Sequence, residues 1–573
     1  MAYDAAALSR IYAEMRRPYL PTGLVDRPGR DKLYDDRRDV LHRRARPWLP
    51  PKYQGFARDV LYRDPLPSFV VNYLTHRLGV NEVQYAVWLP GDPGAKVQEK
   101  GQQLENWIRG ADYELDPLGF ADQRFRRHQA GDGIGWYELD FGSEYTPSQP
   151  KQGVDYVTQV DKERRSLGLP CRLNAPAPRA LYVPPGQTRP EIVVKVVNRQ
   201  LIDVQNKWGA EGGRLSYGGG DKISVDSDFI YGGEQPPGPM PLDVGKWVRC
   251  VVIATNDMIY HCIYPDALPG PNYSVADDSP GAVPNLILVG KYQNPLGHPP
   301  FYPGPARTTE DTDPAFTYQP LAGELLDMAP YINEMMTIRN IAAMREGLSP
   351  VHFQPRMPGM GTEATQPDDA NALLEPGVWE KDGEFKAIPH PDLSSVDKYT
   401  ESLRNIYQQF NTTIMGAAQA GSVGKTTAPW AIAQRKEEEA SFLTEPLDTR
   451  ANAKREVILD VIKLMRVKHA KDGPVYVTAR TRSEKRPEAG HVDLQVGMSA
   501  SDFDLDFRLS VTIDALTQSQ RAAETEYGRR LVSEGTISVQ TYEEEYANVA
   551  DRITETARKR RESLSKLGES LAM

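Results

Sequence analysis

The spacing of apolar residues changes along the chain. Between residues 180 and 292, apolar residues form continuous or alternating runs (EIVVKVVNRQLIDV, KWVRCVVIAT, MIYHCIY, NLILVG) separated by glycine and proline clusters, which indicates β-strands. From about residue 316 the spacing becomes three or four, which is typical of helices. A short β stretch follows residue 469 (VYVTART, HVDLQV, FRLSVTI), and the end is again helical. Upstream, AKVQEKGQQLENWIRGA predicts a helix and GDGIGWYELDF a turn into a strand. Together these elements predict an α+β fold.

Two long helices enclose a small β segment. LAGELLDMAPYINEMMTIRNIAAMREG, residues 321–347, predicts a helix of roughly 40 Å that Pro330 kinks or starts. SVDKYTESLRNIYQQFNTTIMG predicts a second helix over 394–415. Between them, VWEK-DG-EFKAI predicts a hairpin with Asp382 and Gly383 as its type I′ turn. After a glycine loop at 416–427, a third long helix is expected, with Pro429 in its first turn and Pro446 kinking it.

The glycine loop contains GKTT, which looks like the end of a phosphate-binding P-loop. A P-loop also needs a glycine five residues before Gly424, where this chain has Gln419, and a buried strand before the loop. The residues before this loop instead have helical spacing. VILD, ending at Asp460, imitates the strand that carries a metal-binding aspartate, but it too has helical spacing. We therefore interpret GKTT as part of a polar loop between helices.

Composition narrows the function classes further. The 573 residues carry a net charge of −10, which excludes a wholly basic nucleic-acid binder. The three cysteines have no close spacing, which argues against a disulfide framework and fits a reducing cytoplasm. No apolar run reaches the roughly 18 residues of a membrane span, so we expect no membrane partner. Histidines are not placed at metal-ligand spacing and no serine has a nucleophile-elbow context. We expect no enzyme, no metal and no cofactor.

The order of the predicted elements resembles that of the portal proteins of tailed bacteriophages. LLDMAPYINEMMTIRNIAA resembles the first stem helix, GVWEKDGEFKAIPHP the clip region, SVDKYTESLRNIYQQFNTTIMG the returning stem helix, and SVGKTTAPWAIAQRKEEE the tunnel loop entering its helix. QQLENWIRGADYELDPLGF and GDGIGWYEL are similar to the N-terminal wing, VPNLILVGKYQNPLGHPPFYPG to the passage from wing to stem, and TQSQRAAETEYGRRLVSEGTISVQTYEEEY to the helical crown. The resemblance covers most of the chain and depends on order and pattern, because portals have no short invariant signature.

The resemblance implies a portal-like fold with a mixed α/β wing, long stem helices, a small β-containing clip and a helical crown. The implied division is an N-terminal arm (1–60), a wing with a β-rich second half (61–315), stem helix 1 (316–348), a clip (349–393), stem helix 2 (394–415), a tunnel loop (416–427), a wing helix with strands (428–515) and a crown (516–573).

The implied function is mechanical. Portals form a ring, usually of twelve subunits, at one capsid vertex, through which double-stranded DNA is packaged and ejected. The implied partners are further copies of the chain, the terminase large subunit, head-tail connector or adaptor proteins, and the major capsid and scaffold proteins. The implied location is the virion, with the host cytoplasm during assembly. Two alternatives remain: another virion structural protein, such as a connector or minor head protein, or a degenerate P-loop ATPase.

The resemblance also assigns candidate site residues. The tunnel-loop residues are Gly416, Gln419, Gly421, Gly424, Lys425 and Thr426; the stem-lining candidates are Lys398 and Arg404; the terminase-docking residues of the clip are Trp379, Lys381, Asp382, Gly383 and Lys386.

Three assignments stay open on the sequence. Lys425 either meets DNA phosphate transiently or is an exposed lysine without a DNA contact. The arginine-rich arm, 1–50, either contacts a neighbour or the capsid, or is a solvated surface. Arg339 and Arg345 are candidates for pairing with neighbouring subunits.

Overall fold

The structure is a computed structural model. It describes residues 3–19, 29–44, 61–80, 83–90, 95–140, 169, 171–185, 189–200, 247–264, 286–311, 313–347, 351–355, 383–387, 397–398, 400–405, 429–466, 475–482, 491–499, 501–513, 529 and 532–533.

Helices and strands alternate irregularly along this part of the chain, as the α+β prediction requires. The longer helices are α1 (Ala5–Arg16), α2 (Arg30–Leu41), α3 (Leu66–Arg77), α4 (Ala95–Leu115), α5 (Phe120–Gly131), α6 (Gly323–Gly347) and α7 (Pro429–Leu464). The strands are β1 (Gln84–Trp88), β2 (Ile134–Asp140), β3 (Arg172–Asn174), β4 (Leu181–Tyr182), β5 (Ile192–Gln200), β6 (Trp247–Thr255), β7 (Met258–Tyr264), β8 (Ile287–Gln293), β9 (Phe301–Pro305), β10 (Val351–Pro355), β11 (Gly383–Ala387), β12 (Val475–Arg482), β13 (His491–Met498) and β14 (Arg508–Thr512).

The predicted β-rich region forms an antiparallel sheet in the order β4-β5-β6-β7-β8. Both faces of this sheet are covered, which explains why its strands read as continuous apolar runs. On one face, Leu8 and Tyr12 of α1 pack with Val194 and neighbouring residues. On the other face, Trp136 of β2 packs with Val193. Because side chains alternate along a strand, adjacent valines serve opposite layers.

A second, three-stranded sheet has the order β3-β2-β9. The predicted turn before β2 is present: Gly133 has φ +90°, a left-handed conformation that suits glycine. The stretches after residue 469 also form strands, β12 pairing with β13 and β14 with β1, both antiparallel.

Helix α7 connects the two largest apolar clusters. Its N-terminal half contributes Leu443 and Leu447 to a cluster shared with α3 and α6. Its C-terminal half contributes Val457 and Val461 to a cluster shared with α4. Pro429 is the first residue of α7, and Pro446 lies inside it, both as the sequence predicts. In the described chain, no helix combines the length and apolar character needed to cross a membrane.

The N-terminal region differs from a solvated surface. Arg30 and Arg37 of α2 are each only 6% exposed. The Arg30 guanidinium lies 3.9 Å from the ring centroid of Tyr19 and donates to the carbonyl of Leu181 at 2.7 Å. Arg37 donates to both carboxylate oxygens of Asp327 in α6 at 3.0 Å. A planar guanidinium can be buried in this way because stacking and directed hydrogen bonds replace its hydration. In these described stretches the arm is therefore part of the folded core.

Candidate functional site

The first element of the candidate site is helix α6, which is 25 residues long and thus spans ~38 Å. It begins two residues after the predicted start, and Pro330 lies within it, outside the first turn. Leu325 and Ala329 are fully buried in the cluster shared with α3 and α7. In contrast, Tyr331 is 62% exposed and Ile338 is 38% exposed. These two residues are seven apart and lie on one face of the helix, so α6 carries an exposed apolar strip in the described part of the chain.

A short segment before α3 supports the middle of α6. The backbone N–H of Tyr62 donates to Oγ1 of Thr337 at 3.1 Å, and that of Asp64 donates to Oδ1 of Asn333 at 2.8 Å. Asn333 and Thr337 are buried, and the Thr337 hydroxyl donates to the Asn333 carbonyl at 2.6 Å. These contacts fix α6 within two turns of Pro330, where the proline removes a helical hydrogen bond.

The second element is the two-stranded sheet that follows α6. Strand β10 pairs antiparallel with β11, and the register places His352 opposite Lys386 and Pro355 opposite Gly383. The strand predicted around EFKAI is therefore present, but its described partner is Val351–Pro355, which the hairpin prediction did not include. Gly383 is the first residue of β11. Trp379, Lys381 and Asp382 lie outside the described residues.

The third element returns to α6. Residues 397–398 and 400–405, here called the return segment, are helical. Nε of Arg339 lies 3.3 Å from Oδ1 of Asp397, and Leu403 packs against the apolar cluster that contains Leu325. Arg339 thus has a partner within its own chain. The stem-lining candidates Lys398 and Arg404 are both exposed, whereas the side chain of Arg345 lies outside the described part.

The glycine loop itself, with Gly416, Gln419, Gly421, Gly424, Lys425 and Thr426, lies outside the described residues. The described segments nearest to it are helical: the return segment, which ends at residue 405, and α7, which begins at Pro429. Asp460 lies in α7, where its Oδ2 accepts from the hydroxyl of Tyr302 at 2.7 Å and contacts His298. A P-loop also leads into a helix, so α7 alone does not distinguish this loop from one, and the residues directly before the loop lie outside the described part.

The sequence did not indicate a buried charged cluster between α5 and α7. Arg450 donates to both carboxylate oxygens of Asp122, at 2.9 and 2.8 Å, and to the carbonyl of Leu78 at 2.6 Å. Lys454 donates to Asp112 of α4 at 2.6 Å. Burial raises the pKa of Asp122, but Arg450, Lys454 and Arg126 outweigh it and hold that pKa well below its usual range. The cluster ties three helices together.

A second feature missed by the sequence is a cleft of about 340 Å³ between α7 and the turn after β8, with a lining that includes Arg189, His298, Tyr302, Glu456 and Asp460. Its members come from positions up to 271 residues apart, so no local motif marks them. Within the described residues, no three His, Cys, Asp or Glu side chains are grouped so as to hold a metal ion.

Comparison with known proteins yields no assignment. No known family model matches the chain, and no curated protein matches it.

Proposed function

We propose that this chain is the subunit of a ring-shaped portal through which double-stranded DNA enters and leaves a phage capsid. The observation that carries the proposal is the sequence of α6, the β10–β11 sheet and the return segment. A long helix leads to a small sheet, and the chain comes back to the same helix, where Asp397 meets Arg339. A helix pair with a small sheet at its tip suits a protein whose stem and clip project from a larger body.

The exposed strip on α6 supports assembly into a ring. Tyr331 and Ile338 leave apolar surface exposed in the described part of the chain, and apolar strips on helices are normally covered by a partner. In the proposed ring, this strip packs against the next subunit. Repeated head-to-tail contacts of one kind close into a ring when the rotation between subunits permits.

The charge suits a conduit that does not hold its cargo. Each lysine or arginine that neutralises a phosphate strengthens DNA binding, and strong binding would oppose sliding. Twelve subunits with −10 each would repel DNA on average. The exposed Lys398 and Arg404, together with Lys425, would supply the few cations that moderate this repulsion. The clip residues Lys386 and Gly383 belong to the surface proposed for the terminase, which supplies the ATP hydrolysis.

Electron microscopy of the purified protein, with particles classed by rotational symmetry, tests the proposal. We expect rings of about twelve subunits with a central channel of roughly 20 Å or more, the width that a duplex and its grooves need. Tyr331→Glu should reduce the fraction of rings, whereas Leu118→Glu, at an exposed site in the turn between α4 and α5, should leave it unchanged.

A folded particle that stays monomeric even when produced together with capsid and scaffold proteins would contradict the proposal. If that monomer bound ATP, and Lys425→Ala abolished the binding, the degenerate ATPase would become the better explanation. A small connector-like ring without a channel wide enough for DNA would favour another virion structural protein.

A further inference from the structure

Helix α7 presents three polar side chains to the cleft that contains His298 or to the turn beside it. Glu456, Asp460 and Lys463 are four and three residues apart, so they share one face of the helix. Glu456 pairs with Arg189, Asp460 contacts His298 and Tyr302, and Lys463 donates to the carbonyl of Leu296. This face is the attachment of the C-terminal half of α7 to the turn that joins β8 to β9.

Several hydrogen bonds hold that turn in place. The side-chain amide of Asn294 donates to the carbonyls of Thr255 and His298 at 2.8 and 2.7 Å, and its Oδ1 accepts from the N–H of Leu296 at 3.1 Å. Gly297 has φ +76°, the left-handed conformation that lets the chain turn just before His298. Because the turn is held at several points, the position of the His298 ring relative to α7 is defined by the fold.

The contacts of the His298 ring favour its doubly protonated form. Its Nδ1 lies 3.0 Å from the carbonyl oxygen of Pro299, and its Nε2 lies 2.9 Å from Oδ2 of Asp460. A carbonyl oxygen only accepts, and Oδ2 already accepts the hydroxyl hydrogen of Tyr302. Both contacts are attractive at the same time only in the doubly protonated imidazolium, which has two N–H groups.

We propose that the His298–Asp460 contact is a protonation-dependent clasp that holds α7 to the β8–β9 turn and opens when His298 loses its proton to solvent. Whichever nitrogen loses the proton, its lone pair then faces an oxygen lone pair, so one of the two attractive contacts becomes repulsive. The His298 side chain is 45% exposed, which gives water access to the proton.

The other charged groups around the cleft do not titrate near neutral pH in their ordinary ranges, as His298 does. Glu456 lines it from α7, and Arg189 and Glu191 line it from the segment before β5, while Tyr302 and Asn256 contribute uncharged groups. Lys463 binds the adjoining turn at Leu296. Among all of these, His298 has the ordinary pKa closest to neutrality. The hydrogen bond to Asp460 raises the pKa of His298 from its ordinary value of 6.5, and burial and Lys463 oppose this only in part.

The sign of the pH effect follows. Since the pKa of His298 is higher in the closed clasp than in the open one, the clasp is fully stabilised below pH 6.5 and weakens as the pH rises through the folded-state pKa. Between the two pKa values the closed form binds one more proton than the open form. The equilibrium for opening then increases by up to about tenfold per pH unit.

Hydrogen–deuterium exchange of the full-length protein between pH 5.5 and 9 tests the clasp. Exchange of peptides covering 456–464 and 294–298 is corrected for the intrinsic effect of pH and compared among variants. In the wild type, protection of both peptides should fall with rising pH. In His298→Gln, protection should be low throughout and independent of pH. His76→Gln, at an exposed histidine of α3, should behave as the wild type.

A second variant guards against a misfolded His298→Gln protein. His298→Lys carries a cation whose ordinary pKa is about 10.4, so it should keep both peptides protected across the range. The same pH dependence in all four proteins would overturn the proposal. So would a loss of pH dependence in His76→Gln. The result does not depend on ring assembly, so it can fail while the portal proposal stands, and the reverse.

Discussion

At the scale of single residues, several charged side chains lie in the interior. The side chains of Arg450 and Asp122 are only 4% and 16% exposed, and each hydrogen bond of the guanidinium is directed at an oxygen. A buried charge pair contributes little net stability when complete, but removing one member leaves the other without compensation. The pair therefore restricts how α5 and α7 can pack together.

Replacing Arg450 by methionine should destabilise the protein by about 3–5 kcal/mol, because the carboxylate of Asp122 would stay buried without its main partner. Denaturant unfolding followed by fluorescence measures the loss. Arg466→Met is the matched control: Arg466 pairs with Asp504, but both side chains are about half exposed, and exposed pairs contribute at most about 1 kcal/mol. Equal losses in the two variants would contradict the assignment.

At the scale of elements, α5 packs closely on the three-stranded sheet. Gly135 of β2 and Gly304 of β9 are opposite each other in the register, and the ring of Phe125 occupies the space above both. An added Cβ would lie 2.6 Å from the carbonyl oxygen of Phe125 at Gly135, and 2.3 Å from its ring at Gly304. The two glycines are thus needed for the distance between helix and sheet.

Gly304→Ala should destabilise the protein by about 1–3 kcal/mol through overpacking, and Phe125→Leu in the same chain should recover part of that loss by making room. Thermal and denaturant unfolding of the single and double variants measure the coupling. In Gly131→Ala the new methyl would lie an ordinary 3.4 Å from Leu41, so this variant of the same helix should lose little. If the Phe125→Leu and Gly304→Ala effects simply add, the proposed clash is absent.

At the scale of the whole molecule, several apolar clusters share elements, so that α7 joins two of them and β2 contributes to two. The three cysteines are buried in this interior. Cys171, Cys250 and Cys262 are 3%, 7% and 1% exposed, and none forms a disulfide. Burial raises the pKa of Cys262 to about 12. Access and ionisation, both needed for thiol chemistry, are therefore limited by the fold itself.

The native protein at pH 8 should react very slowly with a thiol reagent such as 5,5′-dithiobis-(2-nitrobenzoic acid). After unfolding in guanidinium chloride, three thiols per chain should react at once, since the sequence contains three cysteines. The absorbance of the released thiolate counts them. Stoichiometric reaction of any cysteine in the native protein within minutes would show that its cluster opens readily.

Periodicity in the sequence was sufficient for the local elements, because helical and strand spacing depend on which side of a local backbone is buried. It predicted the helices at 321–347 and after Pro429, the strands between 180 and 292, and the turn at Gly133. Helical spacing also placed Asp460 in a helix, where the structure has it, whereas the interpretation of GKTT as a polar loop stays a prediction. The resemblance to portals came from the order of such elements and remains a proposal.

Only the tertiary structure decided which distant residues meet. Asp122 and Arg450 are 328 positions apart, and no local pattern distinguishes their charges from those of a solvated surface. The same holds for the burial of Arg30 and Arg37, for the pairing of β11 with β10, and for the His298–Asp460 contact. In each case the stabilisation comes from excluding water around directed hydrogen bonds, and that environment exists only once several elements have packed together.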